Sequence, residues 1–226
     1  MKNNSKKHKD LVFIKYLKSK FFLSIIFLVA IALGYTSTHL FYKNTAVKVK
    51  TLISSEIEMI KKSQDIKIQQ QLYIKLIKRV GPEKAQDEFQ HSGIPYNGQM
   101  HLLNHTVGDY IYNKFGPKGI TKCKDYFSSS CFHGFIIRGI GNGKLENVDM
   151  MMRECKKEGE ETLRRCSHAL GHGFLAYEGY AHLLEALKLC EDMKGRVPGF
   201  FPDFCYNGVF MENIWGLHEG GPSSDR

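Results

Sequence analysis

Residues 166–190 read CSHALGHGFLAYEGYAHLLEALKLC, a stretch that begins and ends with cysteine. Its first half has a helical pattern that stops at Gly179, a residue typical of helix ends and turns. Four side chains of the second half share one helix face: Leu183, Leu184, Leu187 and Cys190. The stretch therefore predicts a helical hairpin with a glycine turn.

Related stretches on both sides of this hairpin predict further hairpins. Cys131, Cys166 and Cys205 lie 35 and 39 residues apart and open the stretches CFHGFIIRGIG, CSHALGHGFLAYEG and CYNGVFMENIWG. The other three cysteines, Cys123, Cys155 and Cys190, close the segments ITKC, MMREC and ALKLC. Periods of this length are typical of stacked helical hairpins. We therefore predict an all-α fold with a Cys/His-rich α-hairpin repeat domain over residues 98–226.

The same residues resemble a known family of helical repeats. ALGHGFLAYEGY, the Ala/Leu-rich helix that follows it and ends in cysteine, and CYNGVF look like the cysteine-rich branch of the Sel1-like repeats, relatives of the tetratricopeptide repeats. The resemblance covers about residues 99–215 and implies an exported right-handed superhelix of α-hairpins, usually a protein-binding scaffold. The histidines of this chain depart from that pattern, as does the lack of an acidic-Lys-Ala signature in its second helices.

Six cysteines, all located beyond residue 42, predict three disulfides in an oxidising compartment. Spacing alone leaves many connectivities open. In the predicted repeat, a short link joins the end of one hairpin to the start of the next. This link favours the pairs Cys123–Cys131, Cys155–Cys166 and Cys190–Cys205.

Residues 21–42 read FFLSIIFLVAIALGYTSTHLFY and carry no formal charge. A helix of this length spans roughly 30 Å, about the thickness of a bilayer's hydrocarbon core. Residues 1–20 hold seven lysines and one aspartate, a net +6 of the chain's +9. Because a positive flank is retained in the cytoplasm, we predict a Lys-rich cytoplasmic tail (1–20), a single-pass membrane anchor (21–42) and an extracytoplasmic remainder. The alternative is a cleaved signal peptide with its apolar core at residues 21–33, although no small-x-small site follows.

Residues 43–97 carry apolar residues at helical spacing, interrupted at Gly81-Pro82. They predict a helical stalk and a first hairpin. Beyond residue 42 the chain has a net charge of only +3 over 184 residues. This near balance excludes nucleic acid as a predicted partner, because the basic pI belongs to the membrane flank.

Histidines recur at equivalent places of the predicted repeat. One column of the aligned units contains His101, His133, His168 and Asn207, and the column four residues later contains His105, Ile137, His172 and Met211. Residues four apart share a helix face, so His101 with His105 and His168 with His172 form two potential chelating pairs. We predict that five imidazoles, His101, His105, His133, His168 and His172, line one groove. They suit zinc, copper or iron, and imidazole alone does not choose among these metals.

Acidic and amide side chains near these columns extend the hypothesis. Asp109 and Asn207 are candidates to support the ligands from behind, and Glu212 is a candidate general base beside a metal-bound water. Glycines also cluster at these positions, for example Gly108, Gly134, Gly171 and Gly208. They indicate either close approach of a ligand or tight contact between helices. HxxxH without an inner glutamate disfavours a zinc protease, and the absence of CxxCH disfavours covalent haem.

Two functions of different classes follow from these patterns. The first is a membrane-anchored extracytoplasmic protein whose histidine-lined groove binds a transition metal, with hydrolysis or redox chemistry as its activity. The second is a disulfide-stapled scaffold that binds a peptide or partner protein, with histidines in a structural role.

Overall fold

The computed structural model describes residues 3–141 and 145–215, without the side chains of residues 3–30, Asn44, Ala46 and Trp215. Its helices are α1 (Asn3–Lys62), α2 (Ile66–Val80), α3 (Pro82–Gln90), α4 (Gly98–Phe115), α5 (Ser130–Gly141), α6 (Glu146–Lys157), α7 (Glu160–Glu178), α8 (Leu183–Arg196) and α9 (Pro202–Trp215). A 3₁₀ helix (Gly116–Lys122) follows α4. The described residues contain no strand, so the all-α prediction is confirmed.

The chain divides into two compact units, Met1–Leu52 and Ile53–Arg226. In the first unit, all but one of the described large apolar side chains are exposed, among them Ile31, Leu33, Tyr35, Leu40, Phe41 and Tyr42. Within the described part of the chain, no helix is both long enough and apolar enough to cross a bilayer. The side chains of the predicted tail and of residues 21–30 of the predicted anchor lie outside the description.

The second unit begins earlier than the predicted boundary at residue 98. Ile53, Ile57 and Ile60 at the end of α1 are buried, as are Tyr73, Leu76 and Ile77 on α2. Tyr73 stacks on Phe89 of α3 with a centroid distance of 4.6 Å, and its hydroxyl donates to Asn104 Oδ1 of α4 at 2.9 Å. The region predicted to be a stalk is therefore, from residue 53 onward, part of the unit that carries the histidines.

Four helices form a row in which each packs against the next: α4, α5, α7 and α9. The 3₁₀ helix packs on α4 and α6, α6 also contacts α5 and α7, and α8 contacts α7 and α9. On α8 the buried face comprises Ala186, Cys190 and Met193. Leu184 was predicted on the buried face but is 75% exposed, because it lies two residues before Ala186 and therefore on nearly the opposite side of the helix.

Three disulfides join the elements of the row to their neighbours. They link Cys123 with Cys131, Cys155 with Cys166 and Cys190 with Cys205, the three pairs that the sequence predicts. Their Cα–Cα distances are 5.5, 6.4 and 5.9 Å, within the range of ordinary disulfides. The 3₁₀ helix is thereby tied to α5, α6 to α7 and α8 to α9. This linkage holds the helices of the row in register.

Candidate metal centre

The row brings all five predicted histidines together. His101 and His105 lie one turn apart on α4, His133 lies on α5, and His168 and His172 lie one turn apart on α7. They form two groups of three that share His133: His101, His105 and His133, and His133, His168 and His172. Within each group, one ring nitrogen of each residue lies within 4.8 Å of the others. Each group could hold a metal ion.

At the α4 end of the cluster, the protonation of the imidazoles follows from their acceptors. His101 Nδ1 lies 2.8 Å from the backbone oxygen of Phe127, and a carbonyl only accepts, so Nδ1 of His101 donates. In neutral His101, Nε2 then carries a lone pair and accepts from His133 Nδ1, 3.1 Å away. The lone pair of His133 is consequently on Nε2. That atom is buried and has no hydrogen-bond partner.

An unpartnered lone pair in the protein interior needs an explanation, because leaving a buried polar atom unsatisfied costs on the order of 1–3 kcal/mol. His133 is 2% exposed, which also excludes bulk water as its ordinary partner. A metal ion accepts the electron pair that a nitrogen without its proton offers. The orphaned Nε2 therefore fits a ligand atom.

At the α7 end, Glu212 of α9 replaces the backbone carbonyl. Its Oε2 lies 2.9 Å from His172 Nδ1, and its Oε1 accepts a hydrogen bond of 2.5 Å from the Tyr180 hydroxyl. The carboxylate of Glu212 is fully buried. His172 Nδ1 therefore donates to Glu212, and His172 Nε2 is directed to His168 Nε2 at 3.1 Å. A carboxylate behind a histidine is a common arrangement in metal sites, where it fixes the ring and its tautomer.

The spacing of the nitrogens matches that of ligands around one ion. His101 Nε2 and His133 Nδ1 are 3.1 Å apart, as are His168 Nε2 and His172 Nε2. Two nitrogens bound tetrahedrally to zinc at about 2.0–2.1 Å lie about 3.3 Å from each other. Small rotations of the rings would bring either pair to coordination distance.

The surroundings keep His133 and His168 neutral. Burial lowers the pKa of His133 well below 6.5, and the neighbouring histidines lower it further. Burial, followed by the charge of His172, lowers the pKa of His168 to about 4, while hydrogen bonds to the Phe204 backbone and the Asn207 side chain act in the opposite direction. Metal ions bind neutral imidazole, so these rings need no deprotonation from the imidazolium form near neutral pH.

Glycines allow the helices of the row to approach until their backbones touch. A Cβ atom on Gly134 would lie 2.1 Å from the backbone oxygen of His105, and one on Gly208 would lie 2.1 Å from that of His168. The facing Gly108 and Gly171 have equally short distances to the oxygens of Cys131 and Cys205. The sequence left two interpretations of the glycine cluster open, close approach of a ligand and tight contact between helices. At these four positions the structure shows tight contact between helices.

These backbone contacts change the register of the predicted columns. Gly134 faces His105, and Gly208 occupies the corresponding place opposite His168. The packing thus makes His105 the counterpart of His168, whereas the alignment placed His101 there. The two registers differ by one helical turn, because α4 contains no cysteine from which its unit could be aligned with the others.

The acceptor for His101 comes from an unusual loop. Phe127, Ser128 and Ser129 have φ values of 50°, 54° and 60°, three consecutive non-glycine residues in the left-handed region. Each costs roughly 1–2 kcal/mol. The Cys123–Cys131 disulfide encloses this loop, and the Phe127 ring packs against Phe89. The strained loop delivers the Phe127 carbonyl to the cluster, and no signal in the sequence predicted this contact.

A cavity of about 440 Å³ borders the cluster on the α4 side. Its walls include His105, Thr106, Asp109, Gly134, Ile137 and Arg138. Asp109 pairs with Arg138 at 3.1 Å and accepts from Asn113 at 3.2 Å. The cavity is open to solvent, since the Asp109 and Arg138 side chains are 48% and 46% exposed. A small molecule could therefore reach His105 from outside.

The supporting residues predicted from the sequence take different places. Asn207 hydrogen-bonds His168. Glu212, predicted as a general base, holds His172 from behind and is closed off from solvent. Asp109, predicted to support an imidazole, forms its ion pair with Arg138 at the cavity wall.

Comparison of the chain with protein-family models, with curated proteins and with solved structures finds no match. The chemistry of the cluster is therefore the basis on which a function can be proposed.

Proposed function

We propose that this protein is a membrane-anchored, extracytoplasmic metalloprotein whose histidine cluster binds zinc, copper or iron. The observation that carries the proposal is the buried lone pair of His133 Nε2 within a cluster of five imidazoles. Nitrogen ligands of this kind suit these three metals. Three further features support it: the neutral rings of His133 and His168, the acceptors behind His101 and His172, and a nitrogen spacing close to that of tetrahedral ligands.

The side on which a substrate would bind is the one facing the cavity. Three imidazoles with one position left open form the ligand set of a catalytic zinc site. His105 both belongs to a group of three and lines the cavity, so an ion in this group would lie one imidazole ring away from the cavity. Metal-assisted hydrolysis or redox chemistry of a small molecule is therefore part of this proposal.

Metal analysis of the full chain, purified in detergent and dialysed, tests the proposal. We expect tightly held zinc, copper or iron in the wild type and little in His133→Asn, which removes the imidazole shared by both groups. His182→Asn is the matched control, because His182 is 50% exposed and lies outside the cluster. Equal metal content in both variants would contradict the proposal, as would a wild type that stays metal-free after incubation with each metal.

The membrane anchor at residues 21–42 is a separate part of the proposal. It is supported by the absence of formal charge over these residues, by the lysines before them and by the exposed apolar side chains between Ile31 and Tyr42. Extraction of membranes with alkaline carbonate tests it. We expect the full chain to remain with the lipid and a chain without residues 1–42 to be released; release of both would refute the anchor.

A second candidate is the disulfide-stapled scaffold that binds a peptide or partner protein. Helix α9 favours it, because Phe204, Phe210 and Ile214 are 43%, 46% and 76% exposed in the described part of the chain. Exposed apolar residues on one element are a common feature of protein-binding surfaces. A metal-free wild type would favour this candidate over the first.

A further inference from the structure

We propose that the cluster holds two metal ions, one in each group of three histidines, and that His133 bridges them as an imidazolate. This inference rests on the proposed function, since it requires that the cluster bind a transition metal. Beyond the proposed function, it states how many ions the cluster holds, which residue bridges them and how their surroundings differ.

His133 is the residue that the two groups share. An imidazole ring has two nitrogens that point in different directions, and each can bind one ion. His133 Nδ1 faces His101 at 3.1 Å, so it belongs to the group on α4. Its Nε2 has no partner, and the ring centroid lies 4.5 Å from that of His172 and 5.3 Å from that of His168. We therefore assign Nδ1 to the first ion and Nε2 to the second.

Each group also contains a second nitrogen that is prepared for an ion. The Phe127 carbonyl occupies Nδ1 of His101, and the Glu212 carboxylate occupies Nδ1 of His172. Both rings therefore direct Nε2 into the cluster. Bonds of roughly 2 Å to opposite sides of the His133 ring would place the two ions about 6 Å apart.

The proton balance of the bridge is simple. Neutral His133 carries one ring proton, on Nδ1, and the ion bound at Nε2 uses the existing lone pair. The ion bound at Nδ1 displaces the proton, which passes to solvent, as is usual when metals bind titratable ligands. No electron transfer is involved, so the bridge forms with zinc as well as with copper(II).

The two ions would have unequal surroundings. The first borders the solvent-open cavity through His105. The second group contains the partly exposed His168 and is backed by the buried Glu212, which accepts from the half-buried Tyr180. The two ions would therefore differ in their surroundings: a cavity beside one ligand of the first, and a buried carboxylate behind one ligand of the second.

Electron paramagnetic resonance (EPR) of the copper-loaded full chain in detergent tests the bridge. We expect two copper(II) ions per chain and an EPR signal well below that of two isolated ions, because an imidazolate couples the two spins. His105→Asn and His168→Asn each remove a ligand from only one group. Each should leave one ion per chain with the full signal of an isolated copper. His182→Asn should behave as the wild type.

The outcomes separate this inference from the proposed function. One ion per chain in the wild type, or two ions whose signals simply add, would overturn the bridge and leave the metal site in place. Failure of the wild type to bind any metal would overturn both. The test of the bridge does not use His133→Asn, because a substitution at this buried residue can impair folding. The variants His105→Asn and His168→Asn leave His133 intact.

Discussion

The α4–α5 pair and the α7–α9 pair bring their backbones together in the same way, yet they surround the metal ligands differently. In each pair a glycine faces a histidine carbonyl across the contact: Gly134 with His105, and Gly208 with His168. At the positions that this contact makes equivalent, the first pair has His133 and Asp109, whereas the second has Asn207 and His172. Each pair thus has a polar residue, Asp109 or Asn207, at a position where the other pair has a histidine. The backbone contact defines the scaffold, and a few side chains decide where an ion binds.

The largest expected effect comes from breaking the shared backbone contact. Gly134→Ala and Gly208→Ala would each place a Cβ atom 2.1 Å from a carbonyl oxygen, so the helices must separate. We expect each to lower the free energy of unfolding by about 3 kcal/mol, at the upper end for overpacked cores. Chemical denaturation measures this. Gly195→Ala, where a Cβ meets open space on α8, should instead stabilise by about 0.5–1 kcal/mol. If either substitution changed the free energy of unfolding only slightly, the backbones of that helix pair would not be in the close contact described here.

Removal of single disulfides compares how much one covalent bridge stabilises the α4–α5 region and the α7–α9 region. Replacing both cysteines of Cys190–Cys205 by serine should destabilise by about 3 kcal/mol, since the bridge restricts the unfolded chain. The Cys123–Cys131 bridge closes a separation of 8 residues instead of 15, so its removal should cost about 0.5 kcal/mol less. Unfolding in denaturant under non-reducing conditions measures both. If removal of Cys123–Cys131 cost more than removal of Cys190–Cys205, loop length would not explain the difference. The strained loop at Phe127, which the first bridge encloses, would then account for it.

The acid stability of the metal-free protein probes the buried histidines. Burial lowers the pKa of His168 from 6.5 to about 4, and it lowers the pKa of His133 in the same direction. Between these pH values the unfolded chain binds more protons than the folded one, so stability falls as the pH is lowered from about 6.5 toward 4. His168 alone should account for on the order of 2–3 kcal/mol, at about 1.4 kcal/mol per pKa unit.

Unfolding curves at several pH values, recorded with a chelator present, measure this dependence. His168→Asn should flatten part of it, because asparagine does not titrate. Unchanged pH dependence in that variant would show that His168 is not kept neutral in the folded protein.

The mildest variant distinguishes the acceptors behind the two ends of the cluster. Glu212→Gln keeps the shape of the side chain but removes the negative charge that holds His172. We expect metal affinity at the α7 end to fall about 10- to 100-fold, as for other losses of a ligand's supporting partner. The α4 end, where the Phe127 carbonyl serves His101, should keep its affinity. Competitive titration against a chelator measures the metal affinity at each end. An equal loss of affinity at the two ends would contradict the assignment of Glu212 to the α7 end alone.

The sequence predicted those features of the fold and site that depend on neighbours along the chain. Histidines four residues apart share a helix face in any helix, so the pairs on α4 and α7 followed from spacing. The short links between helices likewise restricted the cysteine pairs. Features set by contacts between distant helices were not predictable in this way. The register of α4 against α7 depends on Gly134 and Gly208, and the position of Glu212 behind His172 depends on how α9 packs.

The contact glycines also have a consequence for recognising relatives of this protein. His105 and His168 each precede a glycine by three residues, giving HxxG, and the partner helices read CFHG and CYNG. Touching backbones require glycine on both helices, so we expect any relative with this helix contact to keep glycine at these four positions while its surface changes. The two short strings are therefore a pattern with which such relatives can be sought.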